Sequence, residues 1–270
     1  MSVFDVLAGP AADVDTRAWL ARANPVAKLG AASVIAFALL ATVDPVTASA
    51  ALVLELCAVP WSGVRWAGLL RRGWIVLLAA IPAGIATTLL GADAGTTLLD
   101  AGILSVSSGS LQSGLAIGVR ILAIGLPGVV LMATTDPTDL ADALAQVLRL
   151  PNRFVLSALA GMRLAGLLGQ QWQALGMARR ARGLGDDGLH GRIATTLGQI
   201  FALLVLAVRQ ATVLAMAMEA RGFGARAART WARRSRFGRH DALVIAGGVL
   251  TAAAATALGV LTGSWQLVLS

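Results

Sequence analysis

Long apolar stretches separated by charge-sorted loops constrain this chain more than any other feature. They recur at about 26–43, 46–59, 74–90, 111–132 and 242–261, against the roughly 20 residues that a helix needs to cross the hydrocarbon core of a bilayer. At that depth every backbone N–H and C=O must find an internal partner, which leaves helices as the spanning form for such segments. Only 13% of the residues are charged and 57% are hydrophobic, about half the charge of an ordinary soluble domain. The expected fold is an all-α polytopic membrane protein with about five transmembrane helices. Residues 1–20 contain Asp5, Asp13 and Asp15 and lack the basic start and apolar core of a cleavable signal, so insertion is expected to rely on the internal spans. The second stretch, 46–59, is short. It reaches about 21 Å and must thin the bilayer, draw on Pro60 and Trp61, or form half of a shallow hairpin.

Charge then predicts the orientation. Arg17, Arg22 and Lys28 precede the first stretch, Arg65, Arg71 and Arg72 follow the second, and 15 of the 22 Lys and Arg fall between Asp136 and Asp241. Cytosolic loops collect basic residues, so these groups are expected inside. The loop carrying Asp44 and the loop carrying Asp93 and Asp100, both without Lys or Arg, are expected outside, as is the C-terminus. The net charge of +8 is explained by this bias and predicts no nucleic-acid partner. Three parts follow: an N-terminal transmembrane part at 1–135, a cytosolic domain at 136–241 and a C-terminal transmembrane helix at 242–270.

Two further apolar stretches, 154–177 and 193–218, have span-like hydropathy. If both crossed, Arg179, Arg180, Arg182 and Arg192 would lie outside while 221–239 stayed inside. Arg163 and Gln170, Gln171 and Gln173 interrupt the first, and Arg209 with Gln210 the second; a central Arg costs about 2.5–3.5 kcal/mol even on lenient insertion scales. They are expected to be long helices at the cytosolic surface. The first opens at Leu150-Pro151, with Pro at the first helical position, and runs to Arg182. The second runs from about Arg192 to Arg221. A shorter helix opens at Thr134-Thr135-Asp136-Pro137. One short and two long helices thus make a platform, and small residues such as Gly161, Ala165, Gly166 and Gly169 would let the long pair cross closely.

Each long helix ends in the same tripeptide: Ala181-Arg182-Gly183 and Ala220-Arg221-Gly222. Gly just past a helix supplies a left-handed residue, and Arg in the last turn complements the negative end of the helix dipole. A single copy is ordinary capping; a duplicate at equivalent ends predicts two equivalent partner surfaces. A guanidinium donates bidentately to carboxylates or helix-end carbonyls and is less strongly hydrated than an ammonium, so Arg182 and Arg221 are the candidate docking residues. Ala181 and Ala220 keep the approach free of bulk. Phe223 is a candidate apolar anchor or a core residue, and Glu219 a candidate for orienting Arg221 or Arg179 or a solvated ion-pair member.

An Asn24-Pro25-x-x-Lys28 start, a Thr134-Thr135-Asp136-Pro137 turn, Leu150-Pro151, and two Ala-Arg-Gly ends 39 residues apart together resemble the transmembrane (T) component of energy-coupling factor (ECF) transporters, the EcfT/CbiQ-like family. The likeness covers almost the whole chain. It implies a non-catalytic subunit of an ABC-type importer of vitamins or transition-metal ions. In that family two long coupling helices cross on the cytosolic side and each Ala-Arg-Gly end docks on one of two ATPase subunits, which bind the ATP and Mg²⁺, while a separate small membrane protein, the S component, binds substrate. The basic run 226–239 departs from the pattern and suits anionic lipid.

Absences agree with such a division of labour. The sole lysine, Lys28, stands in Val-Ala-Lys-Leu, so no phosphate-binding loop is present. Cys57 is the single cysteine, and His190 and His240 have no ligand-spaced neighbours, so neither a disulfide nor a metal site is expected. Asp186-Asp187 reads as a solvated turn. Glu55 and Arg120 are the charges within spans, either a buried pair serving as a gate or tie or, on the plainer reading, groups at separate interfacial or protein-facing positions. A stand-alone secondary carrier would need more mid-membrane polar groups than these two, and a lipid-binding scaffold would leave the duplicated ends unused.

Overall fold

The computed structural model describes residues 14–15, 17–42, 44–90, 97–100, 105–183, 188–223, 231 and 233–264. Its elements are α1 (Pro25–Ala41), α2 (Pro45–Ser62), α3 (Trp66–Leu90), β1 (Thr97–Asp100), β2 (Ser105–Ser107), α4 (Ser108–Thr134), α5 (Pro137–Gln146), α6 (Asn152–Ala181), α7 (Gly188–Ala220) and α8 (Arg239–Leu261). Among the described residues the protein is all-α except for the antiparallel β1–β2 ribbon, which falls between α3 and α4 in chain order.

Local chemistry starts most of these helices. Asn24 caps α1 with its Oδ1 accepting the Val26 N–H at 3.0 Å, ahead of Pro25. Asp44 caps α2, accepting from Thr47 N–H at 2.8 Å and Thr47 Oγ1 at 2.5 Å. Ser107 and Ser110 form a reciprocal capping box on α4, at 2.9 and 3.1 Å. Each arrangement satisfies donors that the first helical turn leaves unpaired.

The second span is longer than the sequence suggested. α2 has 18 residues, about 27 Å, because Pro60 falls in its last turn, where it forfeits one backbone bond without ending the helix. Gly63 at φ +74° stops it. α3 starts eight residues before the expected Trp74, taking in Arg71 and Arg72, with Gly68 and Leu69 buried in its first turns. Pro151 is the N-cap of α6 and makes no side-chain bond; the first helical residue is Asn152.

Among the described residues two compact units emerge, one running up to residue 143 and resuming at 235, the other of 144–234. Their boundaries lie inside the expected 136–241 domain. The first unit holds α1–α4 and α8. Its core is built of small residues and branched aliphatics: Ile35, Leu39, Ala48, Ala51, Ala123, Ala252 and Ala255 in one cluster, and Val59, Val64, Leu69, Val130 and Ala133 in another. Side chains this small bring backbones together. A Cβ on Gly114 of α4 would strike Thr88 Oγ1 and come within 2.5 Å of the Gly84 carbonyl of α3, and one on Gly248 of α8 would come within 2.7 Å of the Ala31 Cβ of α1. Leu40, Leu90, Leu250 and Leu261 face outward, at 58–82% exposure, as lipid-facing leucines do.

The second unit is built on α6 and α7, which cross. By length and composition α2, α3, α4, α7 and α8 are each able to span a membrane, and α1, at 17 residues, is a shorter apolar helix. Hydropathy therefore does not separate α7 from the spans.

Candidate functional site

The two Ala-Arg-Gly copies adopt one geometry. α6 ends at Ala181, Arg182 is its C-cap, and Gly183 follows at φ +71°; its N–H donates to the Arg180 carbonyl at 3.0 Å. α7 ends at Ala220, with Arg221 next and Gly222 at φ +74°. There Gly222 N–H donates to Glu219 O at 2.9 Å and Phe223 N–H to Met218 O at 2.9 Å, the paired bonds of a Schellman turn. Each arginine stands one residue before a left-handed glycine, at the carbonyl end of a helix of about 30 residues or more. Ala181, Arg182, Gly183, Ala220, Arg221 and Gly222 are exposed, as is Glu219, while Phe223 is half-buried.

Arg179 sits elsewhere. Its guanidinium donates to the Thr195 carbonyl of α7 at 2.5 Å and lies over Gly198, so that a Cβ there would come within 3.2 Å of Nη1. Gln199 Nε2 donates in the opposite sense, to the Trp172 carbonyl of α6 at 2.7 Å, beside Gly176. Arg179 thus ties the crossing of α6 and α7 rather than standing at the Ala-Arg-Gly end. Of the four-residue steps separating Thr195 from Gln199 and Trp172 from Gly176, each puts a carbonyl or glycine on one helix face, a spacing visible in the sequence only once the facing helix is known.

A second constellation lies in the membrane unit. The buried Lys28 Nζ donates to Ala21 O at 3.0 Å, Thr134 O at 3.1 Å and Thr134 Oγ1 at 3.2 Å, with Thr135 Oγ1 at 3.5 Å. The ammonium thereby closes the carbonyl end of α4, where positive charge is favoured, and the carboxylates of Asp139 and Asp241 add attraction. Asn24 N–H donates to Asp241 Oδ1 at 2.6 Å, and Asn24 Nδ2 to Ser235 Oγ at 2.8 Å and Arg236 O at 3.2 Å. Asp241 Oδ2 in turn accepts the Gly238 N–H at 2.8 Å, capping α8. Trp19 meets His240 edge-on, with ring centroids 4.5 Å apart. The Asn-Pro-x-x-Lys and Thr-Thr-Asp-Pro motifs, 106 residues apart, are two halves of one buried polar network. Sequence reasoning found both motifs but not their partner Asp241; Gly238 followed three residues later by an acid was its only local sign.

Glu55 and Arg120 do not pair. Neither carboxylate oxygen of Glu55 has a hydrogen-bond partner, nor do Nε and Nη2 of Arg120. The carboxylate whose field reaches Arg120 is that of Asp44, which caps α2 and is 2% exposed. Glu55 is eleven residues further along α2, about 16 Å away along the helix, which separates the two acids by depth. Asp186-Asp187 and most of 224–232, including Arg226 and Arg229, lie outside the described residues, as do the side chains of His190 and Arg192.

Residues 16–231 match the family model CbiQ, described as cobalt transport protein. The chain is similar to energy-coupling factor transporter transmembrane proteins EcfT: 29% identical to that of Limosilactobacillus fermentum over 67% of this chain and 69% of the relative. The corresponding values are 28% for that of Bacillus subtilis over 74% and 77%, and 25% for that of Bacillus selenitireducens over 87% and 91%.

Proposed function

The chain belongs to the CbiQ family, as the transmembrane T component of an energy-coupling factor transporter, and from that premise we propose that it links ATP hydrolysis by two ATPase subunits to import through a separate substrate-binding S component. The observation that carries this reading is the geometry the two helix ends share, an Arg followed by a left-handed Gly whose N–H donates to the carbonyl three residues back. Arg182 and Arg221 occupy the same C-cap position before left-handed Gly183 and Gly222, so one kind of partner groove can accept either. A dimer of ATPases offers two such grooves. ATP and Mg²⁺ belong to those partners, and this chain supplies no catalytic residue.

In the orientation predicted by the basic residues, the N-terminus and α6–α7 face the cytosol and the C-terminus lies outside. Closing of the ATPases on ATP would change the separation of the two docked ends. Long helices fixed to each other by Arg179 and Gln199 at their crossing would transmit that change as a rigid-body movement. A planar guanidinium at each end suits a desolvated contact with carboxylates or carbonyls. The cargo, a vitamin or a transition-metal ion, is chosen by the S component.

The test is recovery of partners through a tag on this chain. The native chain is expected to bring down two ATPase subunits and a small hydrophobic protein. Arg182→Glu and Arg221→Glu each reduce ATPase recovery, by tenfold or more together, while the amount of chain in the membrane is unchanged. Full ATPase recovery by the double variant overturns the reading.

A further inference from the structure

Among the described residues the chain passes between its two units twice, once within α5 and once just before Ser235. On the membrane-unit side both passages are held by the start of α1. Lys28 binds Thr134 and Thr135, immediately ahead of α5. Asn24, one turn earlier, binds Ser235, Arg236 and Asp241. In the other unit the two passages are joined again, by Gln146 Nε2 donating to the Arg233 carbonyl at 2.8 Å. Segments bonded together on both sides cannot move independently.

We infer that Asn24 and Lys28 form a clasp, closed throughout the cycle, that fastens both passages to α1 and delivers movement of the α6–α7 unit to α1 as one rigid-body displacement. They are positioning residues, acting through bonds to the passages. The physical ground is the absence of a cheap open state. Pulling Thr134 and Thr135 away would leave a buried ammonium with the Ala21 carbonyl alone, and pulling Ser235, Arg236 and Asp241 away would strip the Asn24 amide of its acceptors and Asp241 Oδ1 of its donor; under-satisfied buried charges and donors are costly. α1 in turn passes the displacement to α8, because Gly248 seats directly on Ala31. The delivery of motion rests on the proposed function; the clasp itself does not.

Two measurements separate these claims. With the chain alone in lipid nanodiscs, Lys28→Met is expected to speed amide hydrogen exchange at least tenfold in both 134–139 and 235–241. Acceleration confined to 134–139 would mean two separate anchors and would overturn the clasp, whatever partners the chain has. In the complex recovered through a tag, with Cys57→Ser, spin labels at Leu40→Cys of α1 and Thr212→Cys of α7 are expected to show a distance change on adding ATP and vanadate. Lys28→Met should cut that change to under a third with the ATPases still bound; an undiminished change overturns the role of the clasp. Asn24→Cys with Ser235→Cys, joined by a short bifunctional methanethiosulfonate in the Cys57→Ser background, should hydrolyse ATP within twofold of the native rate. Inhibition relieved by a reductant would show that the clasp must open, which also overturns it. Failure to recover any ATPase with the native chain would count against the proposed function, leaving the exchange experiment to decide the clasp.

Discussion

At the scale of single residues, the same chemistry has different consequences according to what surrounds it. Gly183 stands at φ +71° with nothing within 4 Å of the place a Cβ would take, so Gly183→Ala strains the backbone alone, by about 1–2 kcal/mol. Its expected effect is local: unchanged thermal stability of the membrane unit, but weaker ATPase recovery because the Arg182 carbonyl end is redirected. Normal recovery with a frayed α6 end would show that Arg182 does not need this turn. The left-handed glycines were legible in the sequence because a helix cap is settled within a few residues. Lys28 was not: its acceptors on α4 lie 106 residues away, and a lone lysine near a span start reads first as a topology signal. Asp44 is likewise settled across space: it is 2% exposed, and a Cβ on Gly259 of α8 would come within 2.9 Å of its Oδ2.

Among elements, contact between helix backbones governs. Gly114 and Gly128 both lie in α4 and are indistinguishable by sequence, but only the first faces another helix. Gly114→Ala would drive a methyl into Thr88 and the Gly84 carbonyl; overpacking against backbone costs about 1–3 kcal/mol and should lower the unfolding temperature in detergent measurably. Gly128→Ala meets nothing within 4 Å and removes a helix-interior glycine, so it should leave stability unchanged or raise it by up to about 1 kcal/mol. Equal effects would refute the close crossing of α3 and α4. The crossing of α6 and α7 offers a stricter test. Gly198→Ala should displace the Arg179 guanidinium from Thr195, as should Arg179→Ala; combined, the two should cost no more than Arg179→Ala alone, since no guanidinium remains to displace. Additive losses in coupled ATP hydrolysis would break that assignment. The lengths of α2 and α3 escaped the sequence because proline and arginine near helix ends read as stops, whereas a helix end is set by its caps and by what its last turn packs on.

For the whole molecule, membrane crossing is decided by charge placement together with apolar length. α7 is as apolar and as long as a span, and it is its flanking arginines together with Arg209 and Gln210 inside it that argue that it stays on the cytosolic side. In a Cys57→Ser background, Ser264→Cys is expected to react with a membrane-impermeant maleimide in intact cells, and Arg180→Cys only in inverted vesicles. Labelling of Arg180→Cys in intact cells would place the end of α6 outside and remove the shared side on which both Ala-Arg-Gly ends must lie. By itself the sequence determined the membrane class, most of the helices, and the two duplicated caps, because hydropathy, charge and capping act through neighbours along the chain. Only the tertiary structure decided that Glu55 and Arg120 stay apart, that Arg179 ties a crossing, and that Asn24 and Lys28 gather both passages between the units. Those outcomes depend on buried polar groups finding partners across space, and the cost of leaving such groups unpaired is fixed by which helices pack together.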